Sequence, residues 1–257
     1  MNLGFERKIE FSENKNYFGE NWRSVRRRWT SSFINKLSFR RIVFMTEKGK
    51  KYSIKDDFSM MALLIIPVGV AINFVGGQLA SILKLPMYLD TIGTIFTAML
   101  AGPWVGAVTG GLTNVVNGIA NPVNFAFIPV NILAGLVTGF LARKDWFRST
   151  GKWIASMLIQ AAVSIVVSAP IVVLVYGGVT GSGTSLITAA AMAAGANIWA
   201  AFFGTEGIFT VLDRIISFII SWGVIKVIPD RTKVKFSLGD KYLSHKSEAS
   251  EDDSEEE

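Results

Sequence analysis

The sequence runs to 257 residues, half of them hydrophobic and only 18% charged, against roughly 25% charged residues in an average soluble domain. It has no cysteine and one histidine, His245 in the polar tail, which excludes disulfides, thiolate metal sites, histidine-built zinc centres and serine-histidine triads. The formal net charge of +6 is unevenly placed, with no charged side chain in residues 91–142 or 153–205; apolar runs of that length must fold back through lipid, so the chain is expected to be an all-α integral membrane protein.

Residues 1–57 form a basic extension. Trp22, Val25, Trp29, Phe33 and Leu37 recur at helical spacing beside Arg23, Arg26, Arg27 and Arg28. That pattern fits an amphipathic helix on an anionic membrane surface, and equally a solvated basic stretch that helps to fix topology. It contains no base-reading module, so nucleic acid is not an expected partner. The polar start does not read as a signal peptide, and the first apolar segment, from Met60, is taken as a retained span.

Apolar length and flanks predict six crossings in a membrane domain of residues 58–230, near residues 60–83, 88–101, 103–119, 125–142, 153–176 and 207–227. Three basic clusters bracket them: Lys48, Lys50, Lys51 and Lys55; Arg143, Lys144, Arg148 and Lys152; and Lys226, Arg231, Lys233 and Lys235. Placing all three inside requires an even number of crossings between successive clusters, which four and then two provide, with both termini cytoplasmic. The same parity makes the Ala-rich residues 186–203 an external loop with a partly buried helix rather than a seventh crossing. Residues 231–257 are read as a cytoplasmic tail with a disordered acidic end.

Polar groups inside such spans are costly and tend to face a cavity. Asn73, Asp90, Asn114, Asn117, Asn131, Glu206, Asp213 and Arg214 all map toward the outer side under this topology, which predicts a pocket open to the outside. The competing reading is that the asparagines only bridge helices and that Asp213 and Arg214 pair with neighbours. Loops at residues 85–90, 120–124 and 177–197, with Asn121 and Asn197, are expected to order over a ligand. Trp199 would either stack on its ring or sit at the membrane interface. Small residues at four-residue spacing, such as Gly106 with Gly110 and Gly135 with Gly139, mark close helix contacts. Residues 178–185, GVTGSGTS, match a phosphate-binding loop except that Thr184 stands where the lysine is needed, and the stretch is read as a flexible loop.

The stretch LDTIGTIFTAMLAGPWVGAVTGGLTNVVN, residues 89–117, resembles the second and third membrane helices of the substrate-binding subunits of energy-coupling-factor (ECF) transporters. LDRIISFIISWGVIKVIP, residues 212–229, resembles their sixth. The resemblance covers residues 60–230. It implies a six-helix bundle in a bacterial plasma membrane that binds a vitamin or similar micronutrient near the outer face, works with a membrane coupling protein and two ATPases, and is not itself an enzyme. ATP would be used by those partners, and no cofactor is expected in this chain. In relatives the outer part of the sixth helix and the first and third external loops contribute ligand contacts, which adds weight to Asp213, Arg214, Asp90 and Asn121. The family's paired alanines on the first helix are replaced here by small residues, Gly69, Gly76, Gly77 and Ala80, which become the expected docking stripe. A self-sufficient secondary transporter would need an internal repeat and an ion relay, and a membrane enzyme a convergent nucleophile, base or metal cluster; neither pattern is evident.

Overall fold

A computed structural model describes residues 57–243, which fall within the second of the two units into which the chain divides, Ser53–Glu257. The basic extension and the acidic end of the tail lie outside the described residues. What is described is helical, with no strand.

Helix α1, Met60–Ile82, is started by Ser59, whose hydroxyl accepts from the Ala62 amide at 3.1 Å. Helices α2, Ile92–Ala101, and α3, Pro103–Ala120, are separated by the single residue Gly102 at φ 101°. A side chain there would run into the Asp57 carboxylate, and Pro103 then opens α3 with the fixed φ that a first helical turn wants. A short 3-10 turn, Pro122–Phe127, leads into α4, Ile128–Arg143. Helix α5, Thr150–Pro170, loosens into a π-helical turn, Ile171–Val175, directly after its proline. Helix α6, Gly183–Ala193, is followed by the long α7, Ile198–Val227, and the short α8, Asp230–Lys233.

Four segments are long and apolar enough to cross a membrane: Met60–Ile82, Pro122–Arg143, Thr150–Val175 and Ile198–Val227. Their outward faces carry Leu64, Val75, Val166, Leu174 and Ile208, all at least half exposed; surface of that kind is stable against lipid, not water. Helix α2 is different. All ten of its residues are buried, and at about 1.5 Å per residue it is far shorter than a roughly 30 Å hydrocarbon core. It sits in contact with α1, α3, α4 and α7 as the central post of the bundle.

Residues 83–91, part of which was expected as the start of the second span, are instead non-helical, with Lys84 and Leu89 at φ 53° and 51°. The last crossing also begins earlier than expected, at Ile198, because Asn197 caps it through the Trp199 amide at 2.9 Å. The Ala-rich residues 186–203 thus divide between α6 and the first turns of α7.

The glycine pairs lie inside the bundle. A Cβ on Gly135 of α4 would overlap the backbone of Gly106 in α3, and one on Gly93 of α2 would overlap that of Gly69 in α1; the helix axes approach as closely as bare backbone allows. At the end of the bundle holding the α4–α5 turn, Asp57 pairs with Arg143 at 2.8 Å. There residues 234–243 fold back: the Leu238 amide donates to the Leu100 carbonyl at 3.0 Å, and Lys241 caps α4 through the Arg143 carbonyl at 2.8 Å. Tyr242 packs edge-on against Trp222, and burial, with Asp145 adding to it, pushes its phenol well above the usual range.

Candidate ligand site

At the opposite end of the bundle the helices part around a cavity of about 300 Å³, at the small end of the roughly 300–1,000 Å³ typical of ligand pockets. Its walls come from the last turns of α1 and α3, the α1–α2 loop, the first turn of α4, the second half of α5, the loop before α6 and the first half of α7.

Two adjacent residues of α7 organise one side. The Asp213 carboxylate accepts from the backbone amides of Tyr88 at 3.1 Å and Leu89 at 2.8 Å, pinning the α1–α2 loop. Arg214 donates to the Thr91 hydroxyl, while its Nε has no partner. Because neighbouring helical residues diverge, the two meet only at 3.5 Å and each is held chiefly by its own contacts. Asp90 accepts from the Asn131 amide at 3.3 Å, and the same amide donates to Asn114 Oδ1 at 2.8 Å. This chain joins the loop to α4 and α3.

A second network closes over the cavity. Glu206 of α7 is 3% exposed. Its two carboxylate oxygens accept one hydroxyl each at 2.6 Å, from Tyr88 of the α1–α2 loop and Thr184 of α6. Those two hydroxyls are 2.9 Å apart. Three segments distant in sequence are thus tied by one carboxylate, with charge-assisted bonds of the stronger kind. Thr184 is the residue that stands in the lysine position of the phosphate-loop look-alike; the stretch is the entrance to α6, where Ser182 caps the Ser185 amide.

The residues expected at the site separate into three groups. Asp90, Asn117, Asn121, Asn131 and Arg214 line the cavity. Asn114 and Asp213 stand behind that wall, holding its members. Asn73 and Asn197 lie elsewhere: Asn73 bridges α1, α2 and α3, donating to Thr94 and Thr113 at 2.9 Å and accepting from the Gly93 amide at 2.6 Å, and Asn197 is the helix cap already described. Trp199 stacks on Phe203 outside the cavity. Of the expected docking stripe, Gly69 packs on Gly93 and Gly76 on the Leu89 backbone, while Gly77 and Ala80 line the cavity; these positions face the chain itself.

Thr184 was singled out only as the residue replacing the lysine of a phosphate-loop look-alike, and Tyr88, where the expected second span overlaps the loop before it, and Lys84, between the first span and that loop, carried no signal in the sequence. Glu206 did have one, as the first charge after Lys152. Among the described residues no group of three histidine, cysteine or acidic side chains is placed to hold a metal.

Neither a curated protein nor a solved structure matches this chain. Residues 61–225, which span α1 to nearly the end of α7 and contain every wall of the cavity, match the family model described as ECF transporter, substrate-specific component. With the apolar outer surface, that match places the chain as a multi-pass membrane protein belonging to the substrate-specific components of ECF transporters.

Proposed function

We propose that the chain captures a vitamin or similar small nutrient at the outer face of a bacterial plasma membrane and delivers it by associating with a membrane coupling protein and two ATPases. In this reading α1 to α5 and α7 make six crossings, the short α2 traversing inside the bundle together with the non-helical residues 83–91 before it, α6 is external and both termini are cytoplasmic. The observation that carries it is the separation of the two ends of the bundle. Arg143, Lys144, Arg148, Lys152 and Lys241 gather where α4 ends, and the cavity lies where α4 begins, so the positive-inside tendency turns the cavity outward. The cavity volume suits a cargo of one or two rings. ATP is spent by the partner subunits, and this chain contributes recognition without a cofactor of its own.

Purification tests this directly. Mass spectrometry of the chain in detergent should find a retained small molecule, and a coupling protein with two ATPases should copurify from the native membrane. Ligand-driven flux in liposomes by this chain alone would favour the other reading, a self-sufficient secondary carrier.

A further inference from the structure

Asn117 differs from every other asparagine in the bundle. It lies in the last turn of α3, is 5% exposed and lines the cavity. Its backbone carbonyl accepts from Asn124, yet its side-chain oxygen has no partner and its amide nitrogen makes no hydrogen bond within the protein. A buried amide left unpaired costs stability; every other described asparagine makes at least one side-chain hydrogen bond, Asn114 through its oxygen although its nitrogen too has no partner.

Directly across from it is Gly77 of α1. A Cβ there would stand 3.7 Å from the Asn117 nitrogen and 3.6 Å from the Asp90 Cβ. Those are ordinary contacts, so alanine fits the fold, but it fills the space in front of the amide. Gly77, Asp90 and Asn117 therefore form one corner of the cavity, with a flat open floor, an unpaired amide and a carboxylate.

An amide presents one N–H and one C=O side by side, whichever way it is turned. Its complement is a planar group with an adjacent donor and acceptor, as on a lactam or an aminopyrimidine edge; the Asp90 carboxylate beside it accepts a further N–H. An aliphatic carboxylate would find Arg214 but meet like charge at the Asp90 carboxylate. We propose that Asn117 is the specificity-determining residue of the cavity, and that the cargo lays a flat heterocycle over Gly77 with a donor–acceptor edge against Asn117 and Asp90. This rests on the cavity being the cargo site.

The test uses the full chain in detergent, washed free of retained molecules, and calorimetric titration with two probe sets: a 4-aminopyrimidine, an oxopurine and a pterin, against aliphatic carboxylic acids of similar size. A heterocycle should bind, and Asn117→Leu and Gly77→Ala should each weaken it at least tenfold. The unliganded melting temperature of Asn117→Leu should equal or exceed that of the parent, since an unpaired amide is removed. Binding of an aliphatic acid in preference, or a heterocycle whose affinity both variants leave within twofold, overturns the proposal while nutrient capture stands. A melting temperature lowered as far as in Asn73→Ala overturns it too, by making Asn117 a structural residue. If neither set binds and no molecule is retained on purification, the cargo-site reading falls together with it.

Discussion

Asn73 and Asn117 are the same residue type, both buried, and their hydrogen bonding is opposite. Asn73 makes three buried hydrogen bonds to two other helices. At about 1 kcal/mol each, with a further penalty for donors and acceptors left unpaired, Asn73→Ala should cost roughly 3 kcal/mol of stability, read as a lowered melting temperature in detergent. Sequence reading placed both in one pocket set because partner availability is a tertiary property: Thr94 and Thr113 reach Asn73 only once α2 and α3 are packed on α1. Asp213 and Arg214 were legible as costly charges needing separate partners, but the backbone amides from which Asp213 Oδ1 accepts belong to a loop more than a hundred residues earlier in the chain. The Glu206 clasp escaped for the same reason. Removing one of its hydroxyls with Tyr88→Phe breaks a charge-assisted bond of about 1.5–3 kcal/mol that ties the loop to α7. Release of bound cargo should accelerate at least tenfold with little change in association, and an unchanged dissociation rate would show that the clasp does not govern opening.

At the scale of the element, the apolar runs made the long helices readable, because length and flanking charge are properties of a single segment. The exceptions have local causes. The α7 start was missed because Ala-Gly composition hid a cap at Asn197, and the loop at residues 83–91 was taken partly as helix because its strained backbone answers to Asp213, not to its own side chains. The glycine stripes were recognised as close contacts, and the structure supplies their partners within the chain. Where Gly135 meets the backbone of Gly106 there is no room for any side chain. Gly135→Val should therefore force α3 and α4 apart and lower the yield of folded protein sharply, while Gly151→Ala at the start of α5, with open space around it, should leave the melting temperature within about 1 °C. Equal tolerance at both positions would mean that α3 and α4 can separate without loss.

For the whole molecule, orientation is the property on which capture depends. The cavity and the basic residues that follow α4 sit at opposite ends of one bundle, so fixing the sidedness of either fixes the other. The chain carries no cysteine, which makes any introduced thiol the sole target of a maleimide. Ser149 is exposed at the α4–α5 turn, and its side chain makes no cap bond to α5; Val179 is exposed in the loop before α6, beside the cavity. With both termini inside and α6 outside, an impermeant maleimide added to intact cells should label Val179→Cys and spare Ser149→Cys until the membrane is opened. Reversed labelling would turn the cavity toward the cytoplasm and overturn the proposed capture from outside. Labelling of both from outside would mean that α5 and its π-helical extension do not cross the bilayer, and the wall that α5 contributes to the cavity would then have to be built in some other way.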